Sequence, residues 1–198
     1  MGFCLLIAVI FWCCMLASDR HKLGKDLIRL HVVANSDSES DQQRKLLVRD
    51  AVLESLEQDL YNIADPQTAR EYIRDKIPYI QNVVQETLRS LGCQDAVQVT
   101  LSREAFDKRV YDTFSLPAGV YHSLRIIIGN GDGKNWWCVV YPGLCIPVAS
   151  DAVETVAATA GFSDTLTGSI TGAPGYELRF WILDVLGSVE NMVFEGRN

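Results

Sequence analysis

The chain has 198 residues, of which 48% are hydrophobic and 22% are charged, and it carries a formal net charge of −7. This length suffices for one well-packed domain, and the charge content is too ordinary for wholesale disorder. The acidic balance argues against nucleic acid as a partner, because phosphate-backbone binding requires a basic surface, and against adsorption of the folded domain onto anionic lipid.

The N-terminal segment predicts export. Residues 3–17 contain no charged side chain, and a polar stretch follows directly. As a helix this run is about 22 Å long, which is short of the ~30 Å hydrocarbon core of a bilayer. We therefore expect residues 1–17 to be a signal peptide that is removed near Ala17, or else a short signal anchor. Membrane contact is expected through this segment alone.

Residues 18–26 are predicted to be a polar connector that leads into a single domain over residues 27–198. Residues 27–33 alternate in polarity, as a half-buried strand does. Behind a loop of capping side chains, apolar residues recur at helical spacing, which predicts an amphipathic helix from about residue 39 to 62.

A second long helix is predicted from Asp65 onward. Asp65 can accept N–H groups as an N-cap, and Pro66 suits the first helical position. An apolar stripe then continues to Gly92, which is a natural C-terminal stop. Pro78 lies inside this stripe and lacks a backbone donor, so we expect a kink or break near residues 74–77.

The second half of the chain predicts mainly strands, because the period changes from 3.6 to 2. The predicted strands cover residues 97–102, 122–128, 136–141 and 178–182. Residues 148–175 are rich in Ala, Ser, Thr and Gly and predict mostly loop, with a short helix near residues 151–160; a last short helix is expected near residues 184–194. The resulting fold class is α+β, a two-layer sandwich with two long helices on one face of a mostly antiparallel sheet.

The glycine-rich segment Gly129 to Lys134 resembles a phosphate loop but lacks its requirements. That loop needs four residues between its glycines and a hydroxyl after the lysine, whereas three residues separate Gly129 from Gly133 and Asn135 replaces the hydroxyl. The segment also contains an Asn-Gly and an Asp-Gly dipeptide, which are typical of hairpin turns. We therefore predict a turn between two strands.

One loop has the oxygen spacing of a calcium site, in the residues Asn35, Asp37, Glu39 and Asp41. Ser40 stands where a calcium loop needs glycine, and Leu46 stands where it needs a bidentate acid. Helix capping explains these side chains better, and an incidental weak divalent site stays an alternative. No metal or cofactor is predicted.

No set of residues has the spacing of a known catalytic motif. The three histidines lack metal-ligand spacing, and neither G-x-S-x-G nor H-E-x-x-H occurs. Two nucleophile pairs are conceivable in space, Cys93 with His122 and Cys138 with His31. An oxidising exterior would spend such thiols on disulfides, so we predict that the protein is not an enzyme and has no catalytic residues.

Three cysteines lie outside the apolar N-terminal run, namely Cys93, Cys138 and Cys145. An odd number is typical of one disulfide and one remaining thiol. Residues 141–144 (Tyr-Pro-Gly-Leu) suit a type II turn, which would bring Cys138 near Cys145. A strict two-residue hairpin would instead place Val140 opposite Cys145, so the candidate disulfide Cys138–Cys145 depends on the register.

The aromatic block beside these cysteines is a candidate interaction surface, made of Trp136, Trp137, Tyr141 and Pro142. Neighbouring residues of a strand face opposite sides, so one tryptophan can fill the core while the other stays at the surface. Trp and Tyr are enriched at binding hot spots. A pair of core tryptophans on a central strand is the alternative.

Four blocks of the sequence resemble the signature blocks of the stage II sporulation protein R family. They cover residues 27–37, 41–52, 116–119 and 133–145 in the same order. The resemblance implies a secreted signal of endospore formation, made in the forespore and exported into the space between the two membranes around it. It also implies a partner, a membrane-embedded aspartic protease that cleaves the precursor of sigma-E, and no enzymatic activity.

Two other functions remain as alternatives to the resemblance. One is a secreted hydrolase acting on cell-wall or peptide substrates, which would require a reactive thiolate at Cys93 or Cys138. The other is a membrane-anchored structural protein, which would keep its N-terminus.

Overall fold

The computed structural model describes residues 2–145 and 150–197, and the side chains of residues 3–145 and 153–197. The helices are α1 (Gly2–Asp26), α2 (Glu39–Tyr61), α3 (Pro66–Asp75), α4 (Ile77–Ser90), α5 (Ser150–Thr159), α6 (Asp164–Thr171) and α7 (Glu177–Glu195). The strands are β1 (Ile28–Val33), β2 (Val97–Phe106), β3 (Arg109–Val110), β4 (Ser115–Leu116), β5 (Gly119–Ile128) and β6 (Asn135–Tyr141). The chain divides into two compact units: a helical unit of residues 1–26, 104–121 and 147–198, and a sheet unit of residues 27–103 and 122–146.

A four-stranded sheet in the order β2-β5-β1-β6 organises the sheet unit. β1 lies between two later strands, parallel to β5 with Leu30 opposite Leu124, and antiparallel to β6 with Leu30 opposite Cys138. The chain is an α+β protein, as predicted, but the sheet is mixed rather than mostly antiparallel. The difference arises because β1 pairs with distant strands, which alternation along the sequence does not reveal.

Helices α2 and α4 pack on one face of this sheet around an apolar core. The core contains Ile28, Leu30 and Val32 of β1, Val48, Val52 and Leu56 of α2, and Ile80, Val84 and Leu88 of α4. Full burial of one such side chain stabilises the fold by about 1.5–3 kcal/mol. The spacing of four residues in both helices places these side chains on a single stripe, which is why both segments become helices.

Local capping sets the ends of these helices. The Ser38 hydroxyl accepts the Asp41 N–H at 3.2 Å to begin α2, and the Asp65 carboxylate accepts the Thr68 N–H at 2.7 Å to begin α3. The predicted break occurs at Lys76, between α3 and α4, where Pro78 occupies the first turn of the new helix. The second predicted long helix is therefore two shorter ones, α3 and α4, and the described residues contain seven helices in all.

The helical unit begins with α1, in which the helix of the apolar run continues without interruption through the polar residues 18–26, predicted as a connector. Among the described residues, α1 is the one helix whose length and apolar composition suffice to cross a membrane, a property that signal sequences share. β3 and β4 form a separate two-stranded sheet in this unit.

The C-terminal part of the helical unit is helical where strand and loop were predicted. The predicted strand at residues 178–182 lies inside α7. Its alternation spans only five residues, and a short apolar run does not distinguish a strand from a helix that is apolar on several sides. The short helix predicted near residues 151–160 is confirmed as α5, whereas α6 lies in a segment predicted to be loop. Residues 146–149 lie outside the described residues.

Candidate functional site

The tryptophan pair lies on β6, at one edge of the four-stranded sheet. Trp136 contacts the core cluster on the helix-covered face, whereas Trp137 lies opposite His31 of β1 and shares its face. Both tryptophans are half-buried. The expected division into one core and one surface tryptophan is therefore replaced by two side chains that each keep part of their area in solvent.

Each tryptophan is held by a basic or aromatic partner. The guanidinium carbon of Arg49, on α2, lies 4.3 Å from the centroid of the Trp136 ring, a cation–π contact. The His31 ring stacks on Trp137 with centroids 5.5 Å apart and an interplanar angle of 26°. His31 Nε2 is also hydrogen-bonded to the Asn135 Oδ1 at 3.0 Å. Both indole rings are therefore held by contacts with neighbouring elements of the sheet unit.

The sequence does not indicate Arg49 as a member of the site, and it offers His31 only as a conceivable partner of Cys138. Pairing Arg49 with Trp136 requires knowing how α2 lies across the sheet, and pairing His31 with Trp137 requires the register of β1 against β6. Neither is encoded in local spacing.

The turn after β6 is closed by a disulfide between Cys138 and Cys145, whose Cα atoms are 5.0 Å apart. The Leu144 N–H donates to the Val139 carbonyl at 3.1 Å. This register is shifted by two residues from that of a two-residue hairpin, so Cys145 meets Cys138 instead of Val140. The pair of cysteines named from the sequence is therefore the bonded pair in the structure.

Two of the four residues proposed as an interaction surface are buried. Tyr141 is 3% exposed and its hydroxyl donates to the Ile63 carbonyl at 3.2 Å. Pro142, which follows a cis peptide bond, is also buried. Both residues therefore pack beneath the turn and are not available to a partner. The solvent-accessible part of the candidate surface is reduced to Trp136 and Trp137.

The glycine-rich segment joins β5 to β6, so the predicted turn between two strands is confirmed. The two strands do not pair as a hairpin, because β1 lies between them. The loop wraps over the residues that follow β1. Asn35 Oδ1 accepts the Asn130 N–H at 3.0 Å, and Asp37 Oδ1 accepts the Lys134 N–H at 2.7 Å. A Cβ at Gly133 would collide with the Ser36 carbonyl, so glycine is required there for close backbone approach.

The calcium-like side chains are engaged in the same contacts. The Asp41 carboxylate accepts hydrogen bonds from the Ser36 hydroxyl at 2.6 Å, the Asn35 amide at 3.1 Å and the Arg44 guanidinium at 2.8 Å. Hydrogen bonds from Ser36 and Asn35 lower the pKa of Asp41 below its usual value. The oxygen atoms of Asn35, Asp37 and Asp41 therefore anchor the loop and the start of α2 through tertiary and side-chain hydrogen bonds. The cap of α2 itself is Ser38, so the capping interpretation of these calcium-like side chains is wrong.

The two conceivable nucleophile pairs are not assembled. Cys138 is in a disulfide, and it lies on the helix-covered face while His31 lies on the other. Cys93 is three residues before Ala96, whose carbonyl accepts the Gly129 N–H, whereas His122 lies near the opposite end of β5. Seven residues of strand span about 23 Å, so Cys93 and His122 are not in contact.

The environments of Cys93 and His122 also disfavour catalysis. Burial raises the pKa of the Cys93 thiol, so the reactive thiolate is disfavoured. Burial and then the charges of Arg70 and Arg103 lower the pKa of His122 to about 4, which makes it a weak base. Within residues 2–145 and 150–197, no group of three or more His, Cys, Asp or Glu could hold a metal ion.

Comparison with known proteins identifies relatives for most of the chain. The sequence model of a family described as stage II sporulation protein R matches residues 24–151. A curated protein named stage II sporulation protein R, from Bacillus subtilis (strain 168), is 41% identical over 118 residues, which are 60% of this chain and 53% of that protein. The match thus spans about half the length of the curated relative. No solved structure matches the chain.

Proposed function

Because the chain belongs to the stage II sporulation protein R family, we propose that it is an exported signalling protein of endospore formation. In this proposal the protein acts in the space between the forespore and mother-cell membranes. There it activates a membrane-embedded aspartic protease, which then cleaves the sigma-E precursor. The apolar helix α1 and the disulfide between Cys138 and Cys145 support export, since disulfides persist outside the reducing cytosol.

The observation that carries the proposal is the arrangement of the most specific family block, residues 133–145. This block forms an edge strand and a disulfide-closed turn that present two half-buried tryptophans. Rigid aromatic side chains suit a binding surface because little conformational entropy is lost when they are covered. Activation then follows if this surface binds one conformation of the protease more tightly than another.

Co-expression in a non-sporulating host tests the proposal. The candidate protease and the sigma-E precursor are expressed with and without this protein, and precursor cleavage is measured by immunoblotting. Cleavage should depend on this protein and on its export. Equal cleavage in its absence would overturn the activating role, and cleavage promoted by a cytoplasmic form lacking residues 1–17 would overturn the compartment.

A secreted hydrolase is the competing function, and the cysteine environments weigh against it. Its nucleophile would have to be Cys93, which is buried with a raised pKa, or Cys138, which is disulfide-bonded. Thiol labelling of the natively exported protein separates the two functions. A thiol that reacts rapidly at neutral pH would favour the hydrolase, whereas slow labelling favours the signal.

A further inference from the structure

The exposed apolar side chains of the helical unit are concentrated on two helices. On α7 they are Leu178, Trp181, Val185, Leu186, Val189, Met192 and Val193, each between 39% and 66% exposed. On α1 they extend from Phe3 to Met15. Soluble monomeric proteins seldom expose large contiguous apolar patches, because contact between apolar side chains and water is unfavourable. Such a patch marks a contact with a membrane or a partner.

The exposed apolar residues of α7 form a single face. At 100° per residue they occupy an arc of about 140°, with Trp181 at one side and Leu186 at the other. The buried residues Arg179, Leu183, Gly187 and Asn191 lie on the opposite side of the helix. All charged residues of α7 lie outside the apolar arc. The helix is therefore amphipathic in an unusual sense, with its most apolar face turned outward.

Buried ion pairs fix α1 against α7. Arg20 pairs with Glu190 at 2.8 Å, and Asp19 pairs with Arg179. Adjacent residues of α1 thus reach positions about 16 Å apart along α7. The side chains of Arg20, Asp19 and Arg179 are almost inaccessible to solvent. The two pairs therefore attach the end of α1 that follows its apolar segment to α7 at two separate points.

We propose that α7 lies in the interfacial region of a lipid bilayer, with its apolar face among the acyl chains, in the same membrane that α1 enters. α1 is long and apolar enough to enter a membrane, and α7 is ion-paired to the residues that directly follow its apolar segment. α7 therefore lies near the point where α1 leaves the membrane, and a bilayer would cover both exposed apolar segments at once. The proposal concerns the chain that retains α1 and does not rest on protease activation.

The charges on α7 define the kind of membrane contact. Its charged residues are Glu177, Arg179, Asp184, Glu190 and Glu195, four of which are acidic. A helix that adsorbs through anionic headgroups is rich in Lys and Arg instead. Contact through α7 is therefore driven by apolar burial, and it does not require anionic lipid.

Photolabelling from within the bilayer tests this contact on the unmodified chain. The full chain is reconstituted into phosphatidylcholine vesicles that contain a lipid-soluble diazirine, irradiated and mapped by mass spectrometry. We expect adducts on α1 and on the α7 segment from Trp181 to Val193, and none on the exposed Leu47 of α2. Adducts on α1 with none on α7 would overturn the proposal. Crosslinks between α7 helices of two copies would then identify a second copy as the occupant.

A variant pair sharpens the result. Val185→Asn combined with Val189→Asn should lower labelling of α7 several-fold while leaving α1 labelled, whereas the matched change Leu47→Asn should leave both unchanged. Circular dichroism checks that the variants fold. If the double variant does not fold, the presence or absence of α7 adducts in the unmodified chain decides whether α7 contacts the bilayer. Adding anionic lipid should not increase α7 labelling; an increase would replace the apolar mechanism with an electrostatic one.

Discussion

The sheet unit and the helical unit distribute their apolar side chains in opposite ways. In the sheet unit, β1, α2 and α4 turn their apolar stripes toward a common core, and the large exposed apolar residues, such as Leu47 and Tyr79, are isolated. In the helical unit, α1 and α7 leave whole rows of such residues exposed. The sheet unit thus buries its apolar stripes within itself, whereas α1 and α7 of the helical unit leave theirs exposed.

The family match covers both units unequally. Residues 24–151 include the whole sheet unit with its tryptophan pair and residues 104–121 of the helical unit, while α6 and α7 lie beyond the match. The tryptophan pair is therefore part of the region matched by the family, and the exposed apolar face of α7 is not.

The largest expected effect on the free energy of unfolding comes from comparing one leucine in each unit. Leu88 of α4 is 1% exposed, and Leu178 of α7 is 61% exposed. Leu88→Ala should lower the free energy of unfolding by about 2–5 kcal/mol, because it leaves a cavity in the core. Leu178→Ala should change it by less than about 0.5 kcal/mol in the absence of membrane. Urea unfolding of both variants gives the comparison, and equal losses would show that α7 is packed in solution.

The disulfide contributes the next largest effect. Replacing Cys138 and Cys145 together by Ser should destabilise the sheet unit by about 2–3 kcal/mol, since the closed loop restricts the unfolded chain. Reduction of the unmodified protein should produce a similar loss. The measurement is the urea midpoint, with free thiols counted by mass spectrometry. Three free thiols in the natively exported protein would show that the bridge does not form, and a bridge to Cys93 would contradict the register of the turn.

Alanine variants of the two tryptophans should affect different properties, one mainly the binding of the protease and the other mainly the stability of the fold. Trp137→Ala should leave the fold intact and weaken activation of the protease, by ~2 kcal/mol in binding if it is a hot spot. Trp136→Ala should lower stability, by less than the ~3–5 kcal/mol of a fully buried aromatic, because Trp136 contacts the core yet keeps exposed area.

Thermal unfolding and precursor cleavage are measured for both tryptophan variants, with Arg49→Gln as a control that removes the cation–π contact but keeps both indoles. If both alanine variants unfold early and activate normally when folded, the block is simply core and the contact surface lies elsewhere.

The smallest expected effect is a pH dependence at Asp41. The pKa of Asp41 is lowered in the folded chain, so its stabilisation is present above the unfolded pKa of about 3.9 and is lost as pH falls through the folded pKa. Asp41→Asn should therefore cost about 1 kcal/mol at pH 7, through weaker hydrogen bonds, and progressively less on acidification. Urea midpoints from pH 7 to 2 measure this, and a constant difference across the range would contradict it.

The elements of the sheet unit were predictable where local signals decide them. The N-caps Ser38 and Asp65, the break at Lys76 and the apolar stripes of α2 and α4 all follow from neighbours in sequence. The position of β1 between β5 and β6 was not predictable, because strand pairing joins distant residues whose alternation is the same in either arrangement.

The error at α7 has the same origin as its proposed membrane contact. An ordinary surface helix shows a polar face, and that face reveals its period of 3.6. In α7 the outward face is apolar as well, so Leu178, Phe180 and Ile182 appeared to alternate as a strand.

In the candidate site, the pairing of Cys138 with Cys145 could be predicted from the sequence because the two residues are close along the chain. The contact of Arg49 with Trp136 could not, because it joins distant residues.

The ion pair between Arg20 and Glu190 joins residues 170 positions apart in the sequence. The helical unit cannot form this contact until residue 190 has been synthesised. β1 likewise cannot pair fully until β6 is present, since Ile28 lies opposite Tyr141. Contacts of such long sequence separation slow folding. Slow folding keeps a chain unfolded for longer, which favours the export proposed above, because a polypeptide crosses a secretion channel before it folds.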